Sequence, residues 1–473
     1  MPWPRHPLLV LLALIAIIVT PRFIPQLHDW RLFDWATVGH VLDFHPRKRS
    51  LAPLEDEQAR LRPDLAPARH GVNRFVDPTG SLAPFYEALY RAERREPGAV
   101  VKVLHFGDSP TTADLITADV RSQLQAKFGD AGHGVYLIAK PWAWYDHRGF
   151  ASSSSGWKID PATLHGQKDG WYGLGGVSFS GDPGAWSTVT LKEPGQTRLT
   201  LQYVASPGGG KVAIEIDGAP LATLDTSAPR KTAAHTAWRI PATTREVSIR
   251  VEDAPVRLFC FEFEKDSTGV IYSSIGLNGT WAGVLASYTD GPHWAERLRE
   301  AKPDLVVLSY GTNESGYGSY VDSTYGKDYR EILRRLKAAL PDTPVLVMSP
   351  MDRGARVSGG VIGTIQTLPR LIYMQSQMAA EKNLAFFNTF EAMGGEGTMG
   401  KWYQAEPRLV SADFIHPLPS GARIVGTLLF QAISDGYNDW KLQYLRKTRP
   451  ATNQQASNQQ ARAESKPKET TGR

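Results

Sequence analysis

Ala99-Val-Val-Lys-Val-Leu-His-Phe-Gly-Asp-Ser-Pro110 is the stretch on which the reading of the fold turns. Ala99 to Phe106 is a short apolar run of strand character, and Gly107 ends it. Beyond it, Leu115 to Phe128 carries apolar residues at i, i+4 spacing, which predicts a helix; before it, Leu82, Phe85, Leu89 and Ala92 predict another over 82–95. The same rhythm returns after residue 270. Helices are expected at Trp294–Ala301, Asp328–Leu340, Leu368–Lys382 and Ala422–Ser434, and strands at Asp304–Tyr310, Pro344–Ser349 and Leu384–Asn388. Strands alternating with helices predict a parallel sheet covered on both faces.

Between these two halves the texture differs. A serine run, Ser152 to Ser155, opens about a hundred residues of short alternating stretches cut by Gly and Pro. Ser187–Leu191, Arg198–Tyr203, Val212–Ile216, Val247–Val251 and Leu258–Glu264 read as strands, with Asp217-Gly218 as a hairpin turn. Strands at this spacing predict an all-β sandwich. The expected organisation is thus one α/β domain, 71–150 and 266–445, interrupted by a β-sandwich over 151–265.

The 473 residues, 42% hydrophobic and 21% charged, exclude collagen-like, coiled-coil and wholly disordered chains. The net charge of +5 lies in the tail: from Arg446 to Arg473 seven Lys/Arg face two Glu, so the remainder is formally neutral. Nothing in that balance predicts nucleic acid as a partner. Residues 446–473, rich in Gln, Asn, Ala and Lys, are expected to be a disordered basic tail. The single cysteine, Cys260, excludes an intrachain disulfide and a thiolate cluster. No His-Glu-x-x-His occurs, His133, His147, His165 and His235 stand singly in sequence, and no metal or cofactor is expected. Gly208-Gly-Gly-Lys211 reads as a hairpin turn. At the N-terminus, Arg5 and His6 precede an apolar run from Leu8 to Val19 without a small-x-small cleavage site. That predicts an uncleaved signal-anchor over 1–23, a linker over 24–70, and a location in the periplasm or cell envelope, held at the cytoplasmic membrane.

Four short blocks sit at expected strand ends. Ser109 of Gly107-Asp108-Ser109 lies where open α/β sheets place their ligands, and it faces the start of a helix. Ile275-Gly276-Leu277-Asn278-Gly279-Thr280 is a glycine-rich turn able to present a bare backbone N–H. Gly311-Thr312-Asn313-Glu314 ends a strand with an amide that can donate to an oxyanion. Asp413-Phe414-Ile415-His416 pairs a base with a group that orients it, as a serine nucleophile requires.

In this order the four blocks resemble the SGNH (GDSL) hydrolase family. The resemblance implies a flavodoxin-like three-layer α/β/α domain. It also implies a catalytic set of Ser109, His416 and Asp413, with an oxyanion hole from Ser109, Gly279 and Asn313; Gly276 aligns with the second block as readily as Gly279. Glu314 stands where the family usually has Asp, and Pro110-Thr111-Thr112 where a Leu commonly follows the serine. With a jelly-roll-like insertion and an exported, anchored N-terminus, the chain looks like the bacterial peptidoglycan O-acetylesterases. Those remove acetyl from the C6 hydroxyl of N-acetylmuramic acid, which implies an acetylated cell-wall glycan as partner. Their inserted module resembles a carbohydrate-binding module, and Trp157, Trp171, Tyr172, Trp186 and Trp238 are the aromatics here that could stack on sugars. An exported polysaccharide O-acetyltransferase, a lipase or thioesterase, and a non-catalytic wall-binding protein are the alternatives.

Overall fold

The computed structural model describes residues 75–357 and 360–448. The expected anchor (1–23) and linker (24–70) lie outside the described residues, as does the tail beyond Thr448.

Chain order fixes the layers. A two-residue strand β1 (Phe75–Val76) precedes α1 (Ala83–Glu93), β2 (Val100–Gly107), the single turn α2 (Ser109–Thr112), α3 (Thr117–Phe128) and β3 (Asp130–Leu137). Eight strands follow: β4 (Phe150–Pro161), β5 (Val177–Leu191), β6 (Arg198–Ala205), β7 (Lys211–Ile216), β8 (Ala219–Asp225), β9 (Thr232–Arg239), β10 (Glu246–Val251) and β11 (Val256–Glu264). The α/β rhythm resumes with β12 (Gly269–Gly276), α4 (Ala282–Ser287), α5 (Gly291–Ala301), β13 (Leu305–Ser309), α6 (Gly318–Ser323) and α7 (Tyr325–Ala339). Then come β14 (Val345–Met348), the hairpin β15 (Gly354–Arg356) and β16 (Ile362–Thr364), α8 (Thr367–Glu381), β17 (Ala385–Phe387), α9 (Thr389–Met393), α10 (Thr398–Gln404) and α11 (Pro419–Thr448).

The parallel strands lie side by side as β12-β2-β13-β14-β17. In chain order that is 2-1-3-4-5, the flavodoxin-like arrangement. Side-chain alternation divides the two faces. Val101, Val103, Leu305, Val307, Leu346 and Met348 pack with α1, α3 and α11, whereas Leu104, Phe106, Val306, Leu308, Val345 and Val347 pack with α5 and α7. Three layers result, as the family resemblance implies.

The β-rich segment is joined to this sheet by hydrogen bonds. β3 pairs parallel with β12 at Asp130 and Gly132, then antiparallel with β11 along Cys260–Glu264. Fifteen strands are thereby connected, and Phe179, Val189, Leu201, Ile249, Phe261 and Phe263 share a core with one face of the α/β sheet.

The helix expected over 115–128 is present as α3, and Asp114, at φ +51°, separates it from the turn α2. One expectation is corrected. The last helix, expected to stop at Ser434, runs to Thr448, three residues into the stretch read as disordered tail. Gly436 permits this: a Cβ there would lie 2.3 Å from the Tyr86 hydroxyl, and the helix uses that closeness to bury Tyr437 against Phe128.

Candidate active site

Parallel register brings three strand ends to one level: Gly107 lies between Gly276 and Ser309. A Cβ on Gly107 would lie 2.2 Å from Thr111 Oγ1, and one on Gly276 would lie 2.0 Å from the Thr112 backbone nitrogen. The two bare positions let α2 fold directly over the sheet edge, where Ser274 Oγ donates to the Thr111 carbonyl at 2.7 Å. Ser109 is the first residue of that turn and is only 9% exposed. Its N–H, like the others of a first turn, has no intrahelical acceptor. The expected helix dipole behind Ser109 shrinks to that of one turn, because α2 has four residues.

Three of the residues singled out by sequence meet in a hydrogen-bonded line. Ser109 Oγ is 3.0 Å from His416 Nε2, and His416 Nδ1 is 2.6 Å from Asp413 Oδ2. The other oxygen, Asp413 Oδ1, accepts from the Ser411 hydroxyl and from the backbone N–H groups of Ile415 (2.9 Å) and His416 (3.0 Å). Phe414, at φ +61°, makes the tight loop, which closes where the Ser411 N–H donates to the His416 carbonyl at 2.9 Å. Burial pulls the Asp413 carboxyl upward, but the hydrogen bonds from Ser411, His416 and the backbone outweigh it and hold its pKa at about 2. It is therefore an anion at neutral pH, with one oxygen committed to the ring and the other to the loop.

The second and third blocks are tied to each other: Asn313 Nδ2 donates to the Thr280 carbonyl at 2.8 Å. The structure separates the two glycines. Gly276 lies inside β12 with its Cβ direction filled by backbone, so it serves the packing of α2. Gly279 lies in the turn beyond, at φ +66°, with open space where a side chain would be. Its N–H enters no backbone hydrogen bond among the described residues.

Two buried carboxyls flank these loops. Burial pushes Asp108 up to about 6, against the lowering pull of a Thr312 hydrogen bond and of His416; its Oδ2 has no partner among the described residues. Burial likewise pushes Glu314 to about 7, although its Oε1 accepts from the Ala282 N–H at 2.8 Å. Glu314 thus pins α4 beneath the Asn313 loop.

Sequence reasoning passed over several residues of this rim. Arg353, half-buried, donates from Nη1 to the Thr312 carbonyl at 2.6 Å and so braces the Asn313 loop. Ser411 was visible only as a hydroxyl two residues before Asp413. Trp144 is 53% exposed and donates its indole N–H to Asn278 Oδ1 at 2.9 Å; Tyr317 is 68% exposed. The five aromatics singled out for sugar stacking are all half-buried or buried. Trp171 lies between His293, stacked at 4.7 Å, and the Lys231 ammonium at 4.2 Å, while Trp157 donates to the Trp186 carbonyl. The histidines that stand singly in sequence do not all stand singly in space: His133 Nε2 and His147 Nδ1 are 2.8 Å apart in the core. Among the described residues no group of side chains has the makings of a metal site, and no helix is long and apolar enough to cross a membrane.

Residues 265–424 match the model of the GDSL-like Lipase/Acylhydrolase family. Among solved structures, a peptidoglycan O-acetylesterase matches over 78% of this chain and 100% of its own, at 21% identity and a TM-score of 0.66. A family two carbohydrate esterase from Clostridium thermocellum matches over 61% of this chain and 100% of its own, at 11% identity and a TM-score of 0.27, too low to bear on the argument. Among curated proteins, none matches. Residues 265–424 thus carry a GDSL-like Lipase/Acylhydrolase domain, and the chain shares the fold of the peptidoglycan O-acetylesterase structure.

Proposed function

We propose that this SGNH hydrolase removes O-acetyl groups from cell-wall glycan, with peptidoglycan acetylated at C6 of N-acetylmuramic acid as its substrate. The observation that carries the reading is the unbroken line from Ser109 through His416 to Asp413, at 3.0 and 2.6 Å, at the carboxyl edge of the parallel sheet. The substrate class is supported by the likeness to a peptidoglycan O-acetylesterase, which extends over the whole of that chain.

In the mechanism, His416 Nε2 takes the Ser109 proton as Oγ attacks the acetyl carbonyl carbon. The carbonyl oxygen becomes an oxyanion held by the N–H groups of Ser109 and Gly279 and by the Asn313 amide; each such donor contributes about 2.7–4 kcal/mol. The imidazolium, stabilised by ionised Asp413, then gives its proton to the departing sugar oxygen. Water, deprotonated by the same ring, attacks the acetyl-serine; acetate leaves, and the proton returns to Ser109.

The test is acetate release from O-acetylated peptidoglycan by wild type and by Ser109→Ala. The reading predicts free acetate from the first and none from the second, with both proteins folded. Acetyl retained on glycan, without free acetate, would make the chain a transferase instead. We place the site of action outside the cytoplasmic membrane, held by residues 1–23; fractionation of cells expressing the full chain tests this, and recovery in the cytoplasmic fraction would overturn it.

A further inference from the structure

Trp144 is the one tryptophan among the described residues with more than half of its surface open to solvent. Exposing so large an apolar ring forgoes its burial, and here the ring is also held in place. Its neighbour Tyr145 is buried and accepts the Leu137 N–H at 2.9 Å, and His147 is buried two residues further on. The loop is therefore anchored on the core side while residue 144 faces outward. The indole N–H is fixed on Asn278, the residue immediately before Gly279. Tyr317, at 68%, stands open at the end of the turn that begins with Asn313. One exposed ring is thus attached to each of the two loops that carry Gly279 and Asn313.

Resting on the esterase reading above, we propose that Trp144 is the sugar platform of the site. Its indole face stacks on the pyranose ring that bears the acetyl group, and Tyr317 offers a second apolar face. The distances fit this role. In a C6 acetate the pyranose ring begins three bonds from the ester carbonyl, roughly 4 Å. A carbonyl held at Gly279 therefore carries its sugar into the space beside the residue on which Trp144 is fastened. The hydroxyl-poor face of a pyranose is the kind of flat, weakly polar surface that an aromatic ring accepts. The tryptophans of the β-rich segment are all half-buried, and Trp171 is covered by His293 and Lys231.

The test compares kcat/KM on O-acetylated peptidoglycan with kcat/KM on vinyl acetate, which has no ring to stack. In Trp144→Ala the ratio of the two falls about tenfold, through a higher KM for glycan. In Trp144→Phe, which loses the indole N–H but keeps a ring, the ratio falls threefold or less. An unchanged ratio in Trp144→Ala overturns the proposal. So does an equal fall on both substrates in both variants, which would assign Trp144 to holding Asn278 in place. The esterase reading fails separately, if wild type releases acetate from neither substrate.

Discussion

Replacing Asp413 by Asn changes one atom and reverses the tautomer of the base. Asp413 Oδ1 accepts from Ser411 Oγ, Ile415 N and His416 N, while Oδ2 faces His416 Nδ1 at 2.6 Å. An asparagine can place its NH2 in only one of these positions. At the Oδ1 position it would meet three donors, so the carboxamide is driven to keep its oxygen there and set its NH2 against Nδ1. Nδ1 must then accept, the ring proton moves to Nε2, and Nε2 points an N–H at Ser109 Oγ where a base is needed. Loss of the correct tautomer in serine triads costs about 10⁴ in kcat. Here the Asp413 side chain is 46% exposed, so the part that comes from stabilising the imidazolium is screened by solvent. We therefore expect a loss of about 10³–10⁴, or about 4–5.4 kcal/mol in the barrier. The loop bonds survive in the variant, so its melting temperature should stay close to that of wild type. The assay is steady-state hydrolysis of a small acetyl ester, with thermal melting as the control. A kcat within tenfold of wild type, in a protein that melts normally, would refute the assignment of Asp413 as the orienting group.

Two further predictions concern the rim. Gly276→Ala should lower the melting temperature more than Gly279→Ala does. The first methyl meets backbone at 2.0 Å, an overpacking cost of about 1–3 kcal/mol or more; the second meets open space, and its cost is the left-handed backbone, about 1–2 kcal/mol. Equal melting shifts would contradict the packing role given to Gly276. Glu314 is held near 7 in the fold against an ordinary 4.5, so between those pH values the folded state keeps a proton that the unfolded chain has released. Stability should therefore fall as pH rises across that window, by at most about 3 kcal/mol from this group. Glu314→Gln removes the titration, so its melting temperature should depend less on pH from 4.5 to 7 and exceed that of wild type above pH 7. Parallel profiles for the two proteins would show that Glu314 is not the group responsible.

The layout of the site was legible because its chemistry sits at strand ends, and strand ends are marked by apolar runs that stop at glycine. Gly107, Gly276 and Ser309 share one level in the sheet for that reason. What was hidden depended on distant packing. β3 reads poorly as a strand because Gly132 and Gly134 interrupt it, yet these glycines at positive φ allow it to bend from β12 to β11. The serine run of β4 carries no hydrophobic alternation, and pairing with β5 holds it in the sheet. The last helix is expected to end at Ser434, whereas the buried Tyr437 carries α11 past Gly436 and bonds Glu93 at 2.8 Å. The choice between Gly276 and Gly279 needed the position of Thr112, a residue more than 160 places away in the chain. Trp144 could be picked out from the other tryptophans only once burial was known, since local sequence does not say which ring the core takes.

Reaction with a fluorophosphonate, followed by intact mass and peptide mapping, tests most directly whether the hydroxyl beside His416 is the nucleophile. The account predicts a single adduct on the peptide containing Ser109 and none in a folded Ser109→Ala protein. An adduct on another serine, or full labelling that survives Ser109→Ala, would contradict it.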